Sequence, residues 1–204
     1  MKTIAIVSQK GGSGKTTVAV HLAVCAELAG RNAAIIDLDP QASVLEWHSR
    51  READTPEVIT ATPEQLAALL KSAKENGADL MIIDTAPHSD RAAVVAADLA
   101  DLVLIPCRPS AFDVAAIGTT LNLLKLTQAS NRTVILLNAA PPRGGLTDAA
   151  ETGLSKIVPV APVRLHHRVA YSHAINSGHS VEEYDPHGKA ADEIRALYKW
   201  VIKA

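Results

Sequence analysis

Short runs of apolar residues alternate along the chain with longer segments that are rich in alanine and leucine. Each run is apolar at consecutive positions, which is typical of strands that are covered on both faces of a parallel sheet. The runs occupy residues 4–7, 33–36, 58–59, 80–83, 102–105 and 134–137, with a weaker run at 160–163. The alternation predicts an α/β protein with a three-layer, doubly wound and mostly parallel sheet that has helices on both faces.

The segments between the runs are composed of good helix formers and predict the helices that connect the strands. They span residues 16–29, 65–74, 91–99 and 115–127. Pro63 and Pro186 stand where helices can begin, and Gly30 and Gly77 stand where helices should end. The chain has 204 residues and no linker or internal repeat, so we expect residues 1–204 to form one domain.

The composition excludes several classes of protein. No apolar run approaches the ~18 residues that a membrane-spanning helix needs, and the first strand leads directly into a polar loop, unlike a signal peptide. Aromatic residues make up 3% of the chain, which leaves little material for stacking nucleic-acid bases. Only two cysteines are present, Cys25 and Cys107, which excludes a disulfide framework and favours the cytoplasm.

A glycine-rich loop lies between the first predicted strand and the first predicted helix, where residues 10–17 read KGGSGKTT. Glycines let the backbone wrap closely around phosphate oxygens, and the helix N-terminus adds partial positive charge. Lys15 supplies a full positive charge, and the Thr16 hydroxyl is a ligand for Mg²⁺. This order of elements predicts a nucleoside triphosphate site formed by Gly11, Gly12, Ser13, Gly14, Lys15, Thr16 and Thr17.

Three aspartates follow predicted strands at the edge of the sheet where this loop lies. Asp37 and Asp39 stand two residues apart on an extended segment and therefore point to the same side. Asp84 ends a buried apolar strand, a costly position for an acid unless it meets a cation or hydrogen-bond donors. Mg²⁺, bound through water, is the natural partner of Asp84. A helix-capping or turn role is the alternative for Asp39 and Asp84.

The loop departs from the general phosphate-loop pattern, because Gln9 replaces the first glycine and an additional lysine, Lys10, follows it. This arrangement resembles the deviant Walker ATPases of the ParA/MinD type, which include plasmid-partition ATPases, the Min-system ATPase and the nitrogenase iron protein. The resemblance implies a P-loop ATPase that binds ATP and Mg²⁺ and forms a homodimer when ATP is bound. Lys10 would reach the nucleotide of the partner subunit, whereas Lys15 would act within its own subunit.

The same resemblance implies roles for other residues. The catalytic residues would be Lys10, Lys15 and Asp39, with Asp39 orienting the hydrolytic water. Thr16, Asp37 and Asp84 would surround the metal. Asn138 would contact the adenine and Pro162 would lie against it, although Ala139 stands where the family often has a basic residue. A plain loop role is the alternative at both positions.

The basic residues are distributed unevenly over a chain whose net charge is −2. Residues 1–102 carry 9 basic and 14 acidic side chains, whereas residues 103–204 carry 11 and 8. We therefore expect an anionic partner to meet the C-terminal half. Nonspecific DNA binding needs only phosphate neutralisation, and its candidates are Arg164, Arg168, Arg195, Lys199 and Lys203. A solvated helix face is the alternative for each of them.

These observations predict a nucleoid-associated partition or positioning ATPase. A ParB-like protein or another cargo adaptor would stimulate its slow hydrolysis. Because the first strand begins with the chain, we expect the short partition type, which lacks an operator-binding helix-turn-helix. The cysteine positions do not suit the nitrogenase cluster.

Two other functions remain as alternatives. A Min-type membrane regulator would use the apolar face of the C-terminal helix, with Ile194, Leu197 and Val201, but we expect this face to pack on the sheet. An ATP-dependent metabolic synthetase would need a second substrate pocket.

Overall fold

The computed structural model describes residues 1–204, and its six strands form one sheet in which all neighbouring strands are parallel. The order across the sheet is β3-β2-β4-β1-β5-β6. The strands are β1 (Lys2–Ile6), β2 (Ala33–Asp37), β3 (Glu57–Thr60), β4 (Leu80–Asp84), β5 (Leu102–Cys107) and β6 (Thr133–Leu137). All six main apolar runs are therefore confirmed as strands.

Nine helices surround the sheet. They are α1 (Lys15–Leu28), α2 (Ser43–His48), α3 (Leu66–Glu75), α4 (Asp90–Leu99), α5 (Ala111–Leu124), α6 (Leu146–Leu154), α7 (Val169–Asn176), α8 (Val181–Tyr184) and α9 (Lys189–Val201). Short 3₁₀ turns precede α3 and β6. Gly30 and Gly77 follow the ends of α1 and α3 with φ of 75° and 82°, as expected for residues that end helices.

Two hydrophobic cores lie on opposite faces of the sheet, which confirms the three-layer architecture. Consecutive residues of a strand point to opposite faces, so Ile4 and Ile6 enter one core whereas Ala5 and Val7 enter the other. The first core contains residues of α1, α2, α7, α8 and α9, and the second contains residues of α3, α4, α5 and α6. Burial on both faces explains why the strands are apolar throughout.

Helix α5 begins at Ala111, four residues before its predicted start. The Ser110 hydroxyl accepts a hydrogen bond from the Asp113 backbone N–H at 3.2 Å and so caps the helix. A serine followed three residues later by an acid is a sequence signal for a helix start. The periodicity of apolar residues alone placed the boundary too late.

The weak apolar run at residues 160–163 does not form a strand. Val160 makes a single parallel bridge to Ile135, and the Ala161 N–H donates to the Ile135 carbonyl at 2.8 Å. Pro159 and Pro162 bracket this contact and have no N–H to donate, so a regular ladder cannot extend along β6. The segment is confined to the edge of the sheet.

The apolar face of α9 lies inside the protein. Ile194, Leu197 and Val201 have no exposed surface, and they belong to the same core as α1. This face was predicted to pack on the sheet; it is buried, but its main neighbours are the helices α1 and α8. None of the helices combines the length and the apolar character that crossing a membrane would require.

Candidate nucleotide-binding site

The strand order brings the predicted site residues to one edge of the sheet. Asp84 at the end of β4 pairs in register with Ile6 of β1 on one side and with Asp37 of β2 on the other. The loop that follows β1 therefore begins beside two acids. Ligands of open parallel sheets bind beyond the carboxyl ends of the strands, and this edge is the candidate site.

The phosphate loop has the backbone that anion binding needs. Gly12 and Gly14 adopt φ of 70° and 96°, which L side chains rarely tolerate. Gly14 caps α1 without a side-chain hydrogen bond, and the first turn of α1 contains no acid. Because no side chain caps them, the N–H groups at the start of α1 are free to bind a phosphate.

Asn138 supports this loop from the end of β6. Its Nδ2 donates to the Ser13 carbonyl at 2.7 Å, and a Cβ at Gly14 would lie 2.2 Å from the same nitrogen. Glycine is therefore required at position 14 for space as well as for its φ. The structure places Asn138 against the loop, whereas Pro162, the other predicted adenine contact, is exposed.

The two lysines of the loop have different environments. Lys15 is 6% exposed, whereas the Lys10 side chain is 38% exposed. Burial lowers the pKa of Lys15, although the charges of Asp84 and Asp39 oppose this shift. Lys15 thus points into the site, and Lys10 lies at the surface, where it forms an ion pair with Asp113.

Thr16 and Asp84 meet as the metal prediction requires. The Thr16 hydroxyl donates to Asp84 Oδ2 at 2.5 Å, while Asp84 Oδ1 is buried without any hydrogen-bond partner. Burial raises the pKa of Asp84 to about 7, with a further contribution from the charges of Asp37 and Asp39. The hydroxyl of Ser13 is likewise buried and unpaired.

These unpaired polar atoms fit a hydrated Mg²⁺ and a phosphate. No group of three or more His, Cys, Asp or Glu side chains is arranged to hold a metal ion. Mg²⁺ typically keeps several waters and takes one or two protein oxygens together with substrate phosphates, so a complete protein cage is not expected. Thr16 and Asp84 would supply the protein side of that shell.

Asp37 and Asp39 shape the loop after β2. Both oxygens of Asp37 accept backbone hydrogen bonds, from Asp39 N at 2.9 Å and from Val44 N at 3.1 Å. Asp37 therefore fixes the loop and the start of α2 in addition to lying beside Asp84. Asp39 is only partly buried, and its Oδ1 accepts from Gln41 N at 2.9 Å.

Two residues that contact the loop were not predicted from the sequence. Asp113 pairs with Lys10, and the Thr120 hydroxyl accepts a hydrogen bond from Gln9 N at 3.2 Å. Both belong to α5, more than a hundred residues away along the chain. The serine and aspartate at the start of α5 were a local signal for a helix cap, but they carried no information about Lys10.

The five predicted DNA-binding residues do not form one free cationic surface. Arg164 pairs with Asp148 and Glu151 of α6, and Arg168 pairs with Glu193 at 2.6 Å. Arg195 pairs with Asp192 at 2.7 Å. These acids neutralise three of the five charges, which the count of charges along the chain could not show. Lys199 and Lys203 are exposed and form no ion pair.

The first strand of this parallel sheet leads into a helix through a glycine-rich loop that ends in Lys-Thr, and a buried aspartate lies beside the loop. This arrangement defines a P-loop nucleoside triphosphatase. Residues 4–181 match the model of the CobQ/CobB/MinD/ParA nucleotide binding domain. The chain belongs to this family. As the resemblance implied, it is an ATPase, with ATP and Mg²⁺ as its cofactors.

Several individual proteins resemble the chain over nearly its full length. It is 30% identical to maintenance of carboxysome distribution protein A of Halothiobacillus neapolitanus, over 98% of this chain and 96% of that protein. It is 25% identical to the sporulation initiation inhibitor protein Soj of Bacillus subtilis, over 98% of each chain. MinD of Pyrococcus horikoshii complexed with Mg-ADP shares the fold, with a TM-score of 0.78, 21% identity and coverage of 98% and 95%.

Proposed function

We propose that residues 1–204 form a single ATPase domain that acts as a positioning switch. In this proposal two ATP-bound subunits associate, bind DNA without sequence preference, and separate when a partner protein stimulates hydrolysis. The observation that carries the proposal is the difference between the two loop lysines, one buried beside the acids and one at the surface. Lys10 is therefore accessible to a second subunit, whereas the buried Lys15 can contact only the nucleotide of its own subunit.

Asp39 would orient the water that attacks the terminal phosphate. Its carboxylate is hydrogen-bonded only within its own loop, and it is partly exposed at the same edge as Asp84. A partner that reshapes this loop would change the rate of hydrolysis without touching the phosphate loop. Slow turnover in the absence of the partner follows from this arrangement.

The full-length similarity to a carboxysome distribution protein supports a cargo-positioning role. The cargo of this chain would be DNA or a protein assembly, carried by a ParB-like protein or another adaptor. The adaptor would supply the specificity, since nothing in the described site reads a base sequence or a cargo surface. The protein would then be found in the cytoplasm on the nucleoid.

DNA contact would rest on Lys199 and Lys203 rather than on the paired arginines. Lys199 lies in the last turn of α9 and Lys203 follows the end of the helix, and both are exposed and free of acids. A single pair of lysines binds phosphates weakly. Two pairs on one dimer act together, which makes the binding dependent on ATP.

The two alternatives have less support. The apolar face of α9, which a membrane anchor would need, is buried. A cleft of about 890 Å³ lies beyond β2, β3 and β4, but Asp37 and Asp39 are the only ionisable residues that line it. A synthetase that holds an anionic substrate would need a basic side chain there.

Sedimentation separates these functions. The protein should sediment with DNA in the presence of ATP and Mg²⁺, and not with ADP or with anionic liposomes. The double variant Lys199→Gln/Lys203→Gln should weaken DNA binding and reduce its salt dependence. Lys71→Gln/Lys74→Gln on α3 is the matched control, with the same change in charge. Sedimentation with liposomes instead of DNA would support the Min-type function and contradict the proposal.

A further inference from the structure

Arg108 lies over the phosphate loop. It follows β5, the strand that pairs with β1, so the two loops leave neighbouring strands. Its NH2 nitrogen is 3.9 Å from the position that a Cβ of Gly12 would occupy. Apart from Gly12 itself and the residues on either side of it, no heavy atom lies closer to that position.

The backbone carbonyl of Arg108 is hydrogen-bonded, whereas its guanidinium has no partner in the protein. The Arg108 carbonyl accepts hydrogen bonds from Ser110 N at 2.8 Å and from Cys107 Sγ at 3.3 Å. The side chain is exposed, and it forms no ion pair and no hydrogen bond. A cation that has no partner in the protein and lies beside an anion-binding loop is placed to bind an anionic ligand.

The nearest acid does not account for Arg108. Asp113 is already bound by Lys10 at 2.8 Å and by the hydroxyl of Ser110. Burial alone would raise the pKa of Asp113. The pKa is nevertheless lowered, because Lys10 and Ser110 donate hydrogen bonds to the carboxylate and because Lys10 and Arg108 are positively charged. One carboxylate therefore faces two cations, and Arg108 is the cation that has no direct bond to it.

We propose that Arg108 binds the terminal phosphate of ATP in its own subunit and so distinguishes ATP from ADP. The inner phosphates are held by the N–H groups of the loop and of the start of α1, which begins after Gly14. In this proposal the terminal phosphate would lie over the earlier part of the loop, where the surroundings of Gly12 are open beneath Arg108. A planar guanidinium binds two oxygens of such a phosphate at once.

The test compares the binding of two nucleotides to three variants. Protein concentrations are chosen at which light scattering shows that the protein is monomeric. Arg108→Gln removes the charge, and Arg108→Lys retains it as a point charge. Lys156→Gln, an exposed residue without an ion pair, controls for the loss of one positive charge. Affinity for a non-hydrolysable ATP analogue and for ADP is measured by calorimetry with Mg²⁺.

Arg108→Gln should weaken the affinity for the ATP analogue by about tenfold to a hundredfold, which is the range for a hydrogen bond to a charged group. The affinity for ADP should change by less than about twofold. Arg108→Lys should restore part of the loss, and Lys156→Gln should bind both nucleotides as the unmodified protein does. An equal loss for both nucleotides, or none for the ATP analogue, would overturn the proposal. Unchanged melting temperatures of the nucleotide-free variants show that the loop is intact.

Discussion

Lys10 and Asp113 form an ion pair within one subunit, with Nζ of the lysine 2.8 Å from Oδ2 of the aspartate. The aspartate side chain is 10% exposed and is also bonded to Ser110. A lysine that is to reach a partner subunit must first leave this carboxylate. If Lys10 acts in the partner subunit as proposed, the pair opposes dimerisation, by an amount limited by the partial exposure of Lys10.

Asp113→Asn should lower the ATP concentration at which half of the protein is dimeric. The amide keeps the size of the side chain but loses the charge that holds Lys10. Partly exposed ion pairs contribute about 0.2–1 kcal/mol, which corresponds to a factor of about 1.4 to 5 for each pair that is broken. Light scattering during an ATP titration measures the ATP concentration at which half of the protein is dimeric. Asp90→Asn, which changes an exposed acid in the first turn of α4, is the control and should cause no shift.

Asp39→Ala should retain ATP binding and lose hydrolysis. The Asp39 side chain accepts its one hydrogen bond from Gln41 within the same loop, so its removal leaves the phosphate loop unchanged. A positioned acid that orients water contributes about a hundredfold or more to the rate. Phosphate release and ATP affinity are both measured, with Asp39→Asn as the variant that preserves the loop hydrogen bond. Hydrolysis at the unmodified rate in both variants would remove Asp39 from the mechanism.

Mg²⁺ affinity should depend on pH around neutrality. In the metal-free protein, burial raises the pKa of Asp84 to about 7. Below this pH the metal must displace a proton, so apparent affinity should fall by about tenfold per pH unit, and above it affinity should level off. Titrations of the nucleotide-bound protein with Mg²⁺ between pH 6 and pH 8, taken as round values about that pKa, measure this. Asp84→Asn should bind Mg²⁺ weakly and should keep only the pH dependence that comes from protonation of the nucleotide phosphates.

The stability of the protein should fall as the pH drops below the ordinary pKa of histidine. His21 is fully buried in α1, its Nδ1 accepts from Val181 N at 3.2 Å, and Nε2 has no partner. Burial lowers the pKa of His21 to about 3, against an opposing influence of Glu183. Between the two pKa values only the unfolded chain binds the proton, so the free energy of unfolding decreases by about 1.4 kcal/mol per pH unit.

Urea denaturation at several pH values checks this prediction. His21→Gln should flatten the dependence between about pH 4 and pH 6, because glutamine does not bind a proton and can still accept the Val181 hydrogen bond. His187→Gln removes an exposed histidine and should leave the slope unchanged. Equal slopes in the unmodified protein and in His21→Gln would contradict the assignment.

The periodicity of the chain was sufficient for the layers and for the position of each strand. Strands β1, β2, β4, β5 and β6 are buried almost throughout and are therefore apolar at consecutive positions. The edge strand β3 is only partly buried, and its ends, Glu57 and Thr60, are polar and exposed. The phosphate loop was equally visible, because Gly14, Lys15 and Thr16 are consecutive in the chain and begin helix α1. The weak run at 160–163 was misread because hydropathy does not register the N–H groups that prolines lack.

Other features depend on residues that meet only when the sheet forms. The pairing of Lys10 with Asp113, the support of Gly14 by Asn138 and the position of Arg108 each join loops from different strands. The same holds for Arg168, which appears free in the sequence and is neutralised by Glu193 in the fold. Composition and local pattern reveal which elements form and where an anion binds, because those properties are encoded by neighbours along the chain. The partner of each charged side chain is set by strand order, which brings distant residues within a few ångströms.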